Sequence, residues 1–163
     1  MQMREVSTPA EIETVVKLAN AIWYEWYSSI IGEEQVAYML ENFQSYTAVE
    51  QQIKNGFFYY LVYDGEKAVG YTSIAYREAQ LFLSKIYILS EYRGRGIASF
   101  MLGELEHLAK AALKQVIFLT VNKQNLLAIK FYEAKGFKTV EEVVTDIGGG
   151  FVMDDYVMEK ELL

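Results

Sequence analysis

Residues 81–113, LFLSKIYILSEYRGRGIASFMLGELEHLAKAAL, read as a strand, a glycine turn and a helix, and this unit limits the fold more than any other stretch. Residues 81–89 are apolar on both alternating faces apart from Ser84 and Lys85, which suits a central strand covered by helices above and below. Arg93, Gly94, Arg95 and Gly96 then make a turn whose glycines carry no Cβ, so the backbone can tighten and a ligand can come close to its N–H groups. A helix follows from Ile97, in which Ile97, Met101, Leu105, Leu108 and Ala112 recur at spacings of three and four. The free N–H groups of its first turn and the positive end of its dipole meet the loop, where two arginines add charge. Such an arrangement is an anion site suited to a phosphate.

The flanking chain supports a mixed sheet. Residues 3–6 suggest a short strand, and Thr8, Pro9 and Glu11 fit the N-cap, first helical position and capping-box acid of a helix carrying Ile12, Val15, Val16, Ala19, Ile22 and Trp23 on one face. Beyond it an aromatic, Glu-bearing bend with Trp23, Tyr24, Trp26 and Tyr27 is either ordinary core or one wall of a substrate pocket. Gly32 breaks the chain before a second helix with Val36, Met39, Leu40 and Phe43, and residues 48–54 either extend it or form another. Residues 57–63 and 68–76 read as strands joined at Asp64-Gly65, a hairpin signal. Residues 116–121 form another apolar strand, 126–135 a short helix stopped by Gly136, and 137–145 and 151–161 a hairpin around Gly148, Gly149 and Gly150. The implied fold class is α/β: a single domain over residues 1–163, with a mixed, mostly antiparallel twisted sheet, one parallel strand pair (from residues 81 and 116) and helices on both faces.

Composition narrows the chemistry. At 163 residues a single domain buries about two-thirds of its unfolded surface, and 52% hydrophobic residues argue against disorder. With zero cysteines, thiolate metal sites and cysteine nucleophiles are excluded, and no metal site is expected. His107 is the only histidine and falls between the apolar positions of its helix, as a solvated residue does. The net charge of −7 repels nucleic acid and anionic membrane and steers cationic small molecules inward. Neither a membrane span nor a signal peptide is read, so a soluble cytoplasmic protein is expected.

A P-loop needs Gly-Lys-Ser/Thr at the turn, where this chain has Gly-Ile-Ala; a Rossmann fingerprint wants glycine or alanine at Ser99 and an acid near Val121 and Asn122. Neither fits. The pattern Arg93-x-x-Gly96-x-Ala98, followed by Asn125-x-x-Ala128-x-x-Phe131-Tyr132 and Gly136-Phe137, resembles the GNAT superfamily of N-acetyltransferases. The N-terminal helices and the segment GGGFVMDDYVMEK further resemble the branch that includes bacterial polyamine (spermidine/spermine) acetyltransferases.

This resemblance implies acetyl-CoA as cofactor, its pyrophosphate on Arg93, Gly94, Arg95, Gly96, Ile97 and Ala98, with Ser99 just inside the helix. It places the pantetheine arm along Ile86, Tyr87 and Ile88, and brings Asn125 and Tyr132 near the sulfur. The Ile88 backbone N–H is the expected oxyanion donor, and Tyr132 the expected acid or hydrogen-bond donor to the thiolate. The lysine often found two residues after that tyrosine is replaced by Ala134, with Lys135 next to it. Acetyl transfer to an amine needs a neutral amine, a stabilised oxyanion and a protected leaving thiolate. For the base the sequence offers Glu25, Glu34, Asp154 and Asp155; the last two face opposite sides of one strand, so at most one reaches the cleft. Trp23, Tyr24, Tyr27, Asp154 and Asp155 are the candidate acceptor-site residues. The expected acceptor is a small amine, a polyamine first, reacting in a ternary complex; the alternatives are a peptide or protein amino group, or an acyl-CoA sensor without turnover. A homodimer is compatible with this reading.

Overall fold

The structure, a computed structural model, describes residues 1–162. In chain order it contains β1 (Gln2–Glu5), α1 (Pro9–Ile31), α2 (Glu33–Phe43), α3 (Tyr46–Lys54), β2 (Phe57–Asp64), β3 (Lys67–Tyr76), β4 (Gln80–Ile88), α4 (Ile97–Ala111), β5 (Val116–Asn122), α5 (Leu126–Ala134), β6 (Lys138–Gly148) and β7 (Phe151–Glu161). A 3-10 turn, Ser90–Tyr92, links β4 to the glycine loop. Among the described residues the strands form one seven-stranded sheet in the order β1-β2-β3-β4-β5-β7-β6, and only β4–β5 is parallel. This is the mixed sheet expected, and among the described residues no helix is long and apolar enough to cross a membrane.

Local chemistry sets the element ends. Thr8 caps α1: its Oγ1 accepts from Glu11 N at 3.2 Å while Glu11 Oε1 accepts from Thr8 N at 3.0 Å, an arrangement typically worth about 1 kcal/mol. Ser7 N also donates to Glu11 Oε1, at 3.0 Å, and this bond first, with those from Thr8, holds the Glu11 carboxyl below its ordinary value. The expected bend after Trp23 does not form, because nothing in 24–31 breaks the helix before Gly32, where φ is +85°. The segment after Phe43 starts a separate helix, α3, capped by Ser45. In the β2–β3 hairpin Asp64 pairs with Lys67, so the two-residue turn is Gly65-Glu66, one position later than Asp64-Gly65 suggested. Positive φ falls on Gly65 alone, as in a II′ turn.

One core packs α1, α2 and α3 on one sheet face, with Val15, Ala19, Ile22 and Val36 against Tyr59, Leu61 and Tyr71. On the other face Met101, Leu102, Leu105 and Ala109 of α4 meet Val62, Val69, Leu81, Leu83, Ile117 and Leu119. The buried stripe of α4 runs through Leu102 and Ala109, whereas Ala112 ends the helix in solvent, so the expected spacing drifted by one residue at its C-terminus. His107 is exposed, as read.

The polar break at Ser84-Lys85 has a structural cause. Ser73 pairs with Lys85 and the next pair is Ile74 with Leu83, so Ser84 is an extra, unpaired residue in β4. Below this bulge Leu81 and Leu83 face α4; above it Ile86 and Ile88 keep that face, and Lys85 and Tyr87 turn towards α1. An unbulged strand would bury Lys85 and Tyr87 under α4 instead.

Candidate active site

β4 pairs with β5 only from Gln80 to Phe82, opposite Val116 to Phe118, and then the strands part. Leu89 N donates to Val69 O at 2.9 Å on the β3 side, so the alternating N–H groups of Ile88 and Ile86 are directed at the opened edge. Ile88 O, on that same edge, accepts from Arg93 Nε at 3.2 Å. The last residues of β4 thus present backbone donors to a cleft that no strand fills.

The glycine loop closes one end of this cleft. Gly94 and Gly96 have φ of +75° and +79°, and a Cβ at either would point into open space, so conformation and not crowding demands glycine. Gly96 is the N-cap of α4 and offers no side chain to its first turn. The first N–H groups, those of Ile97, Ala98 and Ser99, therefore keep their hydrogen-bonding capacity for a ligand. The two arginines are less available than their charge suggested. Arg93 lies over the Trp26 ring at 4.4 Å, with Glu25 Oε1 3.7 Å from its guanidinium, and Arg95 lies over the Tyr92 ring at 4.9 Å. Arg93 thereby ties the loop to α1, and Glu25, its partner, is not a free base.

The remaining expected residues divide. Asn125 caps α5, its Oδ1 accepting from Ala128 N at 3.3 Å, and is 5% exposed beside the Tyr27 hydroxyl. Tyr132 is buried between Phe131 and Phe137, with ring centroids at 5.3 and 5.4 Å. Burial, and then the neighbouring Tyr27 hydroxyl, hold its phenol well above the ordinary value. Tyr27 and Tyr87 share a hydroxyl hydrogen bond at 3.1 Å, and burial raises both phenols. Trp23 packs on both rings at 5.3 Å and donates Nε1–H to Tyr71. Tyr24, by contrast, is 41% exposed and outside the cleft, because helix α1 continues and carries it to the solvent face. Asp154 also points outward, its Oδ1 3.0 Å from Lys123 Nζ, whereas Asp155 is buried at the cleft. Glu34 is exposed on α2, and Lys135 caps α5 with its Nζ over Phe131. Among the described residues no cluster suited to a metal occurs.

One cleft of roughly 830 Å³ is lined by the glycine loop, the opened β4 edge, Asn125, Tyr132, the α1 aromatics Trp23, Trp26 and Tyr27, and Asp155. A model of the acetyltransferase (GNAT) family matches residues 20–137. The chain belongs to that family. It is an N-acetyltransferase whose acetyl donor is acetyl-CoA. Over 166 residues it is 24% identical to a spermidine N(1)-acetyltransferase of Thermoplasma acidophilum, covering 99% of this chain and 97% of that one. It is 33% identical over 102 residues to an uncharacterised N-acetyltransferase of Mycobacterium bovis, covering 62% of this chain and 64% of that one. Among solved structures, the PaiA N-acetyltransferase of T. acidophilum in complex with coenzyme A matches with a TM-score of 0.81 at 22% identity, covering 99% of this chain and all of that one. A GCN5-related N-acetyltransferase from Rhodopseudomonas palustris gives 0.83 at 16%, covering 99% and 95%. The residues of this GNAT chain fit the donor: an uncapped helix start behind two positive-φ glycines suits a diphosphate, and a bare strand edge suits an amide-bearing arm.

A buried polar chain on the α1 face was not foreseen. Tyr71 Oη donates to Gln44 Oε1 at 2.7 Å, Gln44 Nε2 and Lys85 Nζ reach Tyr59 Oη at 3.1 and 3.2 Å, and Tyr59 Oη donates to Gln52 Oε1 at 2.6 Å. The only sequence signal for it is Lys85 interrupting an apolar strand.

Proposed function

We propose that this GNAT protein acetylates a small primary amine by direct transfer within a ternary complex. The observation that carries the reading is a single cleft lined by the phosphate-type loop, Tyr132, the α1 aromatics and a buried acid, which lets donor and acceptor sit together. No cysteine exists to carry an acyl intermediate, and the one histidine is exposed on α4. Acetyl-CoA supplies an activated thioester. The backbone of residues 93–98, with Ser99, holds its diphosphate, and Ile86, Tyr87 and Ile88 orient its arm beside Asn125. The Ile88 N–H meets the developing oxyanion, a donor fixed by the sheet and needing no rearrangement. Tyr132 hydrogen-bonds the departing sulfur.

For the acceptor, a polyamine comes first, supported by the spermidine N(1)-acetyltransferase among the relatives and by the net charge of −7. Trp23, Tyr27 and Tyr87 give such a cation an aromatic wall, where each contact contributes roughly 0.5–2 kcal/mol. Lys85 favours a second reading, an amine that also bears a carboxylate, because it borders the cleft without an ion-pair partner among the described residues. A thiol-release assay on a panel of polyamines, monoamines, amino acids and peptides separates these. Release with spermidine-type amines is the expected result, and coenzyme A binding without release on any amine would make the protein a sensor.

A further inference from the structure

Strand β7 carries two adjacent acids that the pleat sends to opposite sides. Asp154, outside, is held by Lys123, which also meets Glu142 at 2.7 Å. Asp155, inside, is 7% exposed, and its Oδ1 has no hydrogen-bond partner. A buried carboxylate oxygen without a partner is unfavourable, and native proteins keep one where it serves a ligand or a reaction. Here the oxygen belongs to a residue bordering the cleft. The ionisable groups set around it are Tyr27 from α1, with Tyr87 and Tyr132 beyond it, and Asp154 along the strand; no cation among the described residues pairs with it.

The other acids are spent or misplaced: Glu25 is engaged by Arg93, Asp154 by Lys123, and Glu34 is in solvent. Resting on the acetyltransferase reading above, we propose that Asp155 is the base that receives the acceptor's proton. An incoming ammonium gives the orphan oxygen the donor it lacks. One proton passes from R–NH3+ to the Asp155 carboxylate, which frees the nitrogen lone pair. The nitrogen then forms the C–N bond to the acetyl carbon as the C–S bond breaks, and its second surplus proton ends on the departing sulfur. Asp155 returns its proton to solvent, so one ammonium and one thioester yield one amide, one thiol and one proton. Burial first, and the Asp154 charge second, raise the Asp155 carboxyl to about 6, close to working pH and therefore better suited to proton transfer than an ordinary carboxylate.

The test uses the full chain with the best amine of the panel. For the wild type, kcat/KM should fall below about pH 6; Asp155→Asn should lower kcat roughly 10²- to 10⁴-fold and abolish that acid limb, while coenzyme A affinity by calorimetry stays within a few-fold. Asp154→Asn should leave kcat unchanged and keep the acid limb, moved slightly to lower pH because the Asp154 charge is the smaller cause of the raised Asp155 carboxyl. A readout without either reactant comes from thermal unfolding. The folded carboxyl holds its proton more tightly than the unfolded one, so wild type should lose stability relative to Asp155→Asn as pH rises from about 4 to about 6. If the asparagine variant does not fold, Asp155→Ser carries the same prediction. Wild-type kcat/KM with an intact acid limb in either variant overturns the assignment of Asp155. A wild type that binds no coenzyme A, or acetylates no amine, overturns the parent reading instead.

Discussion

At the residue scale the site separates groups that hold charge from groups that hold protons. Tyr132 belongs to the second kind: its phenol is raised by burial and by Tyr27, which opposes giving the proton up completely. Even unperturbed values, about 10 for a phenol and about 8.5 for a thiol, make full transfer to sulfur uphill by roughly 2 kcal/mol. A retained hydrogen bond is the role that remains. Tyr132→Phe should therefore lower kcat by about 10²-fold, the effect of deleting one transition-state donor, and leave coenzyme A affinity within a few-fold. Turnover equal to wild type would remove Tyr132 from the mechanism. The positions of Tyr132 and Asn125 were legible because a motif fixes their spacing along one helix start. What Arg93 does was not, since its partners Glu25 and Trp26 lie far away in the chain and only folding brings them near. The same holds for Asp154 and Asp155. Alternation predicted opposite faces, but which face is inside depends on the pairing of β7 between β5 and β6.

At the element scale, helix α4 carries one requirement at each end. Gly96, at φ +79°, starts the helix beside the cleft, and Gly65, at φ +64°, turns the distant β2–β3 hairpin. A Cβ at either position meets no atom within 4 Å, so both valine variants suffer mainly the backbone strain of about 1–2 kcal/mol. Gly96→Val should lose coenzyme A binding, whereas Gly65→Val should show a similar drop in melting temperature and bind normally. Equal affinity in the two variants would move the phosphate site away from this loop. At the far end Leu113 N bonds Lys110 O and Lys114 N bonds Ala109 O, the two bonds of a Schellman motif, with Leu113 itself at φ +60° and 87% exposed. Glycine is the residue this position favours, and an exposed leucine gives up little packing. Leu113→Gly should stabilise the protein by about 1 kcal/mol, a rise of roughly 2–4 °C in melting temperature, measurable by calorimetry. Apolar periodicity made most elements visible. It missed the Ser84 bulge, because one extra residue in a strand leaves only a two-residue polar break, and that break reads equally well as two tolerated polar side chains.

At the scale of the whole molecule, the cleft exists because the sheet comes apart beyond Phe82 and other contacts hold its two sides in place. The β6–β7 hairpin returns to α2: Gln35 Nε2 donates to Val152 O at 3.0 Å and Tyr38 Oη to Ile147 O at 2.8 Å, with the Tyr38 ring beside Gly148 and Gly149. Arg93 joins the glycine loop to α1 in the same way. These long-range contacts were not legible in the sequence, where the three glycines show a turn but not the helix it rests on. A donor lying along the opened edge would touch both sides and stabilise the folded chain by its binding free energy alone. At a hundredfold excess over Kd that amounts to about 2.7 kcal/mol, a rise of roughly 5–10 °C in melting temperature for a chain of this length. Wild type and Asp155→Asn should both show the rise with coenzyme A, because the role proposed for Asp155 is towards the acceptor's proton and not the donor. Gly96→Val should not. If folded wild-type protein keeps its melting temperature at saturating coenzyme A, the opened β4 edge is not where the donor binds.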